Sequence, residues 1–403
     1  MRALILPDRP FLGRERSLLT RLEVGLADDG MRVLHAVPAS AGNIESLGVY
    51  STSVTYQDRA VPLTLGLRAG TLLDLIDDTS PAEPGRPLLD LIHAFGPGSW
   101  AIASSIARRL GTPLVVELYN AEHLAPLAAL ARKIARAVSG DPGRLSGYGL
   151  HIISADPALA EIAHQAVANG TLPPSTPIYS ATWGVHVPEV AHTPPPLASN
   201  NAAPRALAVA MLANPGLTRA TRAAATRAVE TAIVAVADLV SRGLDLVIFC
   251  DAELASRVPV FRAAGRAGIS NRLNIIDDLE GQREMLLTSD VLLLATASGE
   301  QRTVVLDAMA SGTLVLAQPD AANSTLIDRV TCRLCDARSP QAWIDTAAPL
   351  LADPAQVAAL IASARNYVNT SRLASSHVVQ LLAAYSAISQ RASAGAISGG
   401  VRQ

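Results

Sequence analysis

Cysteine is almost missing from this chain: Cys250, Cys332 and Cys335 are the only three in 403 residues. Three cannot make a disulfide framework. Aromatic residues are only 3% of the total, so the cores have to be built from Ala, Val, Leu and Ile. Lysine is scarcer still, with Lys133 standing alone and arginine supplying every other basic side chain. Neither sign of charge is in excess: the net charge is −2 and the isoelectric point lies near 6.5. That balance removes any global attraction to nucleic acid, which is therefore not an expected partner. No apolar run reaches the roughly twenty residues that span a bilayer. The apolar part of MRALILPDRP is also too short for a signal peptide and reads as a first strand. The expected location is cytoplasmic.

What the chain does have is apolar bulk, with 49% hydrophobic residues and a mean hydropathy of +0.28. That composition belongs to a folded globular protein, and the length suffices for two domains with full cores.

The most informative stretch runs from Asp290 to Pro319. It reads as a buried strand (Val291–Ala295), a polar loop (Thr296–Arg302), a helix (Thr303–Ala310), a stop at Gly312 and a second buried strand. Short, unalternated apolar runs are typical of parallel strands covered on both faces. The loop therefore opens at the carboxyl end of a sheet, where α/β proteins bind ligands and a helix N-terminus offers N–H groups to phosphate. Thr303 starts that helix, Glu300 precedes it, and Asp307 lies just over one turn in. Carboxylates so placed can hold the hydroxyls of a ribose or a sugar.

Earlier in the chain, Ala3–Leu6 reads as a strand, Pro7–Arg14 as a loop, Glu15–Asp29 as a helix and Arg32–Val37 as the returning strand. Ala39–Pro87 carries weaker patterns. Strands follow at Leu89–Phe95, Leu114–Leu118 and His151–Ser154. A helix over about 124–138 sets Arg132, Lys133 and Arg136 beside Leu127, Leu130 and Ile134. It has two readings, a solvated helix face or a peripheral contact with the anionic inner face of a membrane. The Pro/Ala/Asn-rich segment 188–204 reads as a linker, so the expected domains are 1–187 and 205–390, with 391–403 a flexible tail. The second domain opens with strand Ala206–Leu212 and a long helix to about Arg242, followed by strands Leu246–Cys250 and Leu273–Ile276. Cys332-Arg333-Leu334-Cys335 is a lone pair without a second pair or histidines, and reads as structural rather than metal-binding.

Asp307-Ala308-Met309-Ala310-Ser311-Gly312 resembles the donor-site segment of the family 4 retaining glycosyltransferases. That family shows Glu, seven residues, Glu, then Ala-Met-Ala-x-Gly. Thr182-Trp183-Gly184-Val185 resembles its entry to the second domain. The resemblance implies the α/β fold called GT-B: two Rossmann-like α/β/α domains whose parallel sheets face across a cleft, the last helix crossing back onto the first domain. It implies sugar transfer from a nucleotide-sugar donor, as substrate rather than cofactor, to an unidentified acceptor and without a metal. By position, Gly13 and Arg14 would face the donor phosphates, Arg219 and Arg222 would neutralise the leaving diphosphate, and Asp277 would lie near the base. Asp307 and Thr303 would serve the nucleotide and Glu300 the sugar. His93, Tyr119 and Asn120 would form the catalytic, acceptor side. Three departures from the pattern support an alternative, a catalytically degenerate protein acting as a nucleotide-binding or scaffold partner of an active enzyme. Gly299 stands in place of the first Glu, Tyr119 in place of a histidine, and no Gly-Arg…Lys pair follows the first strand of the second domain.

Overall fold

The computed structural model describes residues 1–41, 51–58, 64–141, 145, 147–191, 206–214, 218–278, 280–287, 289–336 and 338–399. The expected linker at 188–204 lies outside them from residue 192 onward. The chain divides into two compact units, Met1–Thr182 with Ser375–Gln403, and Trp183–Ala374.

The first unit is a seven-stranded parallel sheet in the order β3-β2-β1-β4-β5-β6-β7. Its strands are β1 (Arg2–Pro7), β2 (Arg32–Pro38), β3 (Thr52–Tyr56), β4 (Leu91–Phe95), β5 (Leu114–Leu118), β6 (Leu150–Ser154) and β7 (Ile178–Ser180). Strands β1, β4, β5 and β6 are buried along their whole length, as their unbroken apolar runs require. The weakly patterned region supplies β3 on the sheet edge and helix α2 (Leu65–Thr79). Helix α1 (Arg9–Asp28) begins six residues earlier than expected. Asp8 caps it by accepting from the Phe11 N–H at 2.9 Å, and Pro10 sits in its first turn, where a missing N–H costs nothing. Helices α3 (Pro97–Leu110), α4 (Leu124–Gly140) and α5 (Pro157–Ala168) complete the crossovers.

The second unit carries six parallel strands in the order β10-β9-β8-β11-β12-β13. They are β8 (Leu207–Leu212), β9 (Leu246–Asp251), β10 (Leu273–Ile276), β11 (Val291–Leu294), β12 (Leu314–Ala317) and β13 (Arg333–Leu334). This is the doubly wound order, which reverses between β8 and β11 and so opens a crevice past their carboxyl ends. Helices α6 (Arg219–Ser241), α7 (Ala252–Arg257), α8 (Val260–Arg266), α9 (Arg283–Leu287), α10 (Thr303–Ser311), α11 (Pro340–Leu351) and α12 (Pro354–Ser371) surround it. Its core joins Val229, Ile233 and Val236 of α6 to Val209, Ile248 and Leu293 of the sheet and to Trp343 of α11.

Chain entry and exit in this unit lie side by side. Val185 donates to the Arg372 carbonyl at 2.8 Å and accepts from the Ala374 N–H at 3.0 Å. Helix α13 (Ala374–Gly399) then belongs to the first unit apart from its first residue. It passes so close to α1 that a Cβ on Gly25 would lie 2.5 Å from Val378 Cγ2. It also runs to Gly399, so residues 391–399 are helical where the small, polar sequence of 391–403 suggested a flexible tail.

Candidate active site

In the second unit a small recess opens past the paired ends of β8 and β11, where Leu212 lies in register with Leu294. It is lined by Asn214 after β8, by Thr296, Ser298, Glu300 and Arg302 between β11 and α10, and by Asp320 after β12. All of these groups come from the carboxyl end of a strand or the loop that follows it, and Val305 of α10 closes the recess from the helix side. The Thr296 hydroxyl accepts the Asn214 N–H at 2.9 Å and so ties the two strand ends together.

Sequence reasoning placed Glu300 one residue past the position where the family carries its first glutamate. The structure supplies a physical reason for the slip. Gly299 has φ +67°, a left-handed backbone that a glutamate adopts only under strain. The carboxylate falls at 300 and points to the recess. Helix α10 begins directly after Arg302 and is buried from Thr303 to Ala310. It stops at Gly312, as expected, with φ +96°.

Asp307 is buried and paired within the chain. Arg283, from α9, donates to its Oδ2 through Nε at 3.0 Å and through Nη2 at 2.5 Å. The same Nη2 donates to the Thr303 hydroxyl at 2.7 Å, and Nη1 reaches Glu280 Oε1. Asp307 and Arg283 are each only 8% exposed. A buried carboxylate is tolerable when paired in this way, with a two-pronged, charge-assisted contact. Thr303 and Asp307 thus share one arginine, which ties α9 to α10. Arg283 was missed in the sequence, where it is one exposed-looking arginine among many.

The other expected donor residues are dispersed. Arg219 and Arg222 are exposed at the start of α6, whose first turn is closed by a reciprocal Thr218–Thr221 capping box. The loop before them, 215–217, lies outside the described residues. Asp277 is exposed after β10, at the sheet edge. None of the three lines the recess.

In the first unit the three residues expected on the acceptor side are all buried. His93 is fully buried on β4; its Nδ1 lies 2.7 Å from the Tyr385 hydroxyl and its Nε2 3.0 Å from Glu117 Oε2. Its partners come from β5 and α13, so the ring pins the last helix to the sheet. Tyr119 is 7% exposed and stacks edge-on against Phe11 and His123 at 5.2 and 4.8 Å. Asn120, 2% exposed, uses its side-chain oxygen to cap the following turn through the Glu122 N–H. Gly13 and Arg14 are not in a loop but inside α1, two residues and one residue before a kink at Glu15 (φ −138°, ψ 26°).

Helix α4 turns Leu127 and Ile134 into the core, and Arg132 donates to the Thr171 carbonyl at 2.9 Å. The apolar face a membrane contact would use is thus already covered. Among the described residues no single helix is long and apolar enough to cross a membrane. Cys332 and Cys335 are free and buried on either side of the edge strand β13, and burial pushes both thiols up to about 12. They are thiols, not nucleophilic thiolates, at neutral pH. Among the described residues no group of His, Cys, Asp or Glu is arranged to hold a metal ion.

The two doubly wound parallel units have the GT-B fold. Residues 216–353, roughly a third of the chain and wholly within the second unit, match the family model described as Glycosyl transferases group 1. No curated protein matches the sequence. Solved structures similar along 96% of this chain include a sucrose-phosphate synthase from Thermosynechococcus elongatus (12% identity, 99% of that chain, TM-score 0.65). Anabaena HepE in complex with UDP-glucose is similar to the same degree (14% identity, 99% of that chain, TM-score 0.65). A glycosyltransferase from Rickettsia africae follows (12% identity, 98% of that chain, TM-score 0.59). At such identities the likeness establishes the fold alone.

Proposed function

We propose that this protein is a retaining glycosyltransferase that takes its sugar from a nucleotide-sugar donor held in the second unit. The observation that carries the reading is the recess past β8 and β11. There a carboxylate, Glu300, and a guanidinium, Arg302, lie two residues apart at the switch point of the sheet, inside the segment that matches the glycosyltransferase model. Glu300 suits sugar hydroxyls, as a bidentate acceptor. Arg302 and the start of α10 supply positive charge where a diphosphate leaving group develops negative charge. The exposed Arg219 and Arg222 add to that field. No metal is required by this arrangement of charge.

The alternative keeps a specific observation of its own. The carboxylate that resemblance assigns to the ribose is held by the chain's own Arg283. A donor site with that carboxylate engaged suits a degenerate protein that pairs with an active glycosyltransferase. Equilibrium titration of UDP-, GDP- and ADP-sugars against wild type and Glu300→Gln, followed by a transfer assay with the sugar that binds, separates the two readings. The transferase reading expects one nucleotide sugar to bind, and Glu300→Gln to weaken it about tenfold, the loss of a hydrogen bond to a charged group. The anomeric configuration of the transferred sugar then tests retention. Folded wild type that binds none of the panel would overturn the transferase reading.

A further inference from the structure

The loop that carries Glu300 is held by an alternating set of hydrogen bonds to the segment after β12, whose Asp320 also reaches the recess. The Ala297 N–H donates to the Gln318 side-chain oxygen at 2.9 Å. The Gly299 N–H donates to Asp320 Oδ2 at 2.7 Å. The Gln301 side-chain amide donates to the Ala322 carbonyl at 3.1 Å. Odd-numbered loop residues are thus tied to every second residue after β12, while the even-numbered Ser298, Glu300 and Arg302 line the recess. In the first two bonds a side-chain oxygen accepts a loop N–H as a partner strand's carbonyl would, and in the third a loop side chain donates to a backbone carbonyl. Asp320 is itself braced, since its second oxygen accepts the Ala322 N–H at 3.0 Å. Gly299, with φ +67°, sits at the centre of the set.

We infer that Gln318 and Asp320 are positioning residues that fix which side chains the β11–α10 loop presents to the donor, and in particular the aim of Glu300. This rests on the donor-site reading of the recess. The physical ground is pre-organisation: a seven-residue loop with free amides samples many conformations, and binding to one of them is weakened by the fraction of time it is absent. Slippage by one residue would turn Glu300 away and bring Gly299 or Gln301 to the recess.

The test uses the full chain, with Asp320→Ala, Asp320→Asn and Gln318→Ala. Amide hydrogen exchange of the unliganded protein reads the clamp directly. In Asp320→Ala the Gly299 amide should exchange at least about tenfold faster, with core strands unchanged. Asparagine keeps one accepting oxygen and should restore part of the protection. UDP-glucose and UDP titrations then read positioning. Asp320→Ala should weaken UDP-glucose about tenfold (about 1.4 kcal/mol) while UDP alone changes little, because the clamp serves the sugar side. A merely structural role would lower both alike. Unchanged exchange at Gly299 overturns the inference, as does a loosened loop with unaltered preference for UDP-glucose over UDP. Wild type that binds neither these probes nor any GDP- or ADP-sugar, with Gly299 exchange faster in the variant, shows that the donor reading has failed and the clamp has not. Should Asp320→Ala fail to fold, Gln318→Ala carries the same test at Ala297.

Discussion

Removing the guanidinium of Arg283 would leave the Asp307 carboxylate buried without its two-pronged partner. Breaking a buried pair from one side costs about 3–5 kcal/mol, because the remaining charge keeps its desolvation penalty. Arg283→Met should therefore lower the urea midpoint sharply, and adding Asp307→Leu should recover the part of the loss that comes from Asp307, leaving the part that comes from Glu280. If the single and double variants lose equal stability, the pair is not what holds α9 to α10. Sequence position alone could not have assigned Asp307 correctly. A carboxylate a turn into a helix at the end of a parallel strand suits a ribose well, and nothing in the residues around it announces an arginine returning from 24 positions upstream. Only the tertiary structure makes that pairing visible. His93 shows the same limit: strand β4 was legible, but Tyr385, which takes up its Nδ1, arrives from 292 positions downstream.

At the scale of elements, most of both sheets was legible, because unbroken apolar runs of four to six residues leave few alternatives to buried parallel strands. The exceptions have local causes. Strand β3 lies on the sheet edge with a mixed burial pattern, so its apolar signal is diluted. Asp8 and Pro10 are a helix-start signal, yet Gly13 argued for a loop; the helix accommodates the glycine and breaks at Glu15 instead. The segment Thr182–Val185 was legible as a junction, and the structure gives its glycine a reason. A Cβ on Gly184 would lie 2.2 Å from the Leu373 carbonyl oxygen and 2.8 Å from that of Arg372, which are backbone atoms with no rotamer to yield. Gly184→Ala should push the entry and exit segments apart and cost about 1–3 kcal/mol, the range for overpacking. Denaturant midpoints check the cost, and faster exchange of the Val185 and Ala374 amides locates it. Slow exchange at both amides with a wild-type midpoint would contradict the account.

Across the whole molecule, sensitivity to acid is placed unequally. His35, on β2, is held down to about 4 by burial. His151, on β6, is held to about 4 by burial and then by Arg391. His377, on α13, is held to about 3 by burial, then by His93 and Arg21. All three belong to the first unit. Their folded pKa values lie below the unfolded value of about 6.5, so the unfolded chain binds more protons as the pH falls. Stability is lost progressively from pH 6.5 down to the folded values. Each histidine contributes a slope of about 1.4 kcal/mol per pH unit once it is protonated in the unfolded chain and still neutral in the folded one. The first unit should therefore melt at a higher pH than the second. The three tryptophans allow the units to be read apart, since Trp100 lies in the first and Trp183 and Trp343 in the second. A chain with Trp183→Phe and Trp343→Phe reports the first unit, and one with Trp100→Phe and Trp183→Phe reports the second. The Trp100 signal should collapse at the higher pH, and His377→Asn should move that collapse to lower pH. If the Trp343 signal falls first, or if His377→Asn moves nothing, burial of neutral histidines does not govern acid unfolding here.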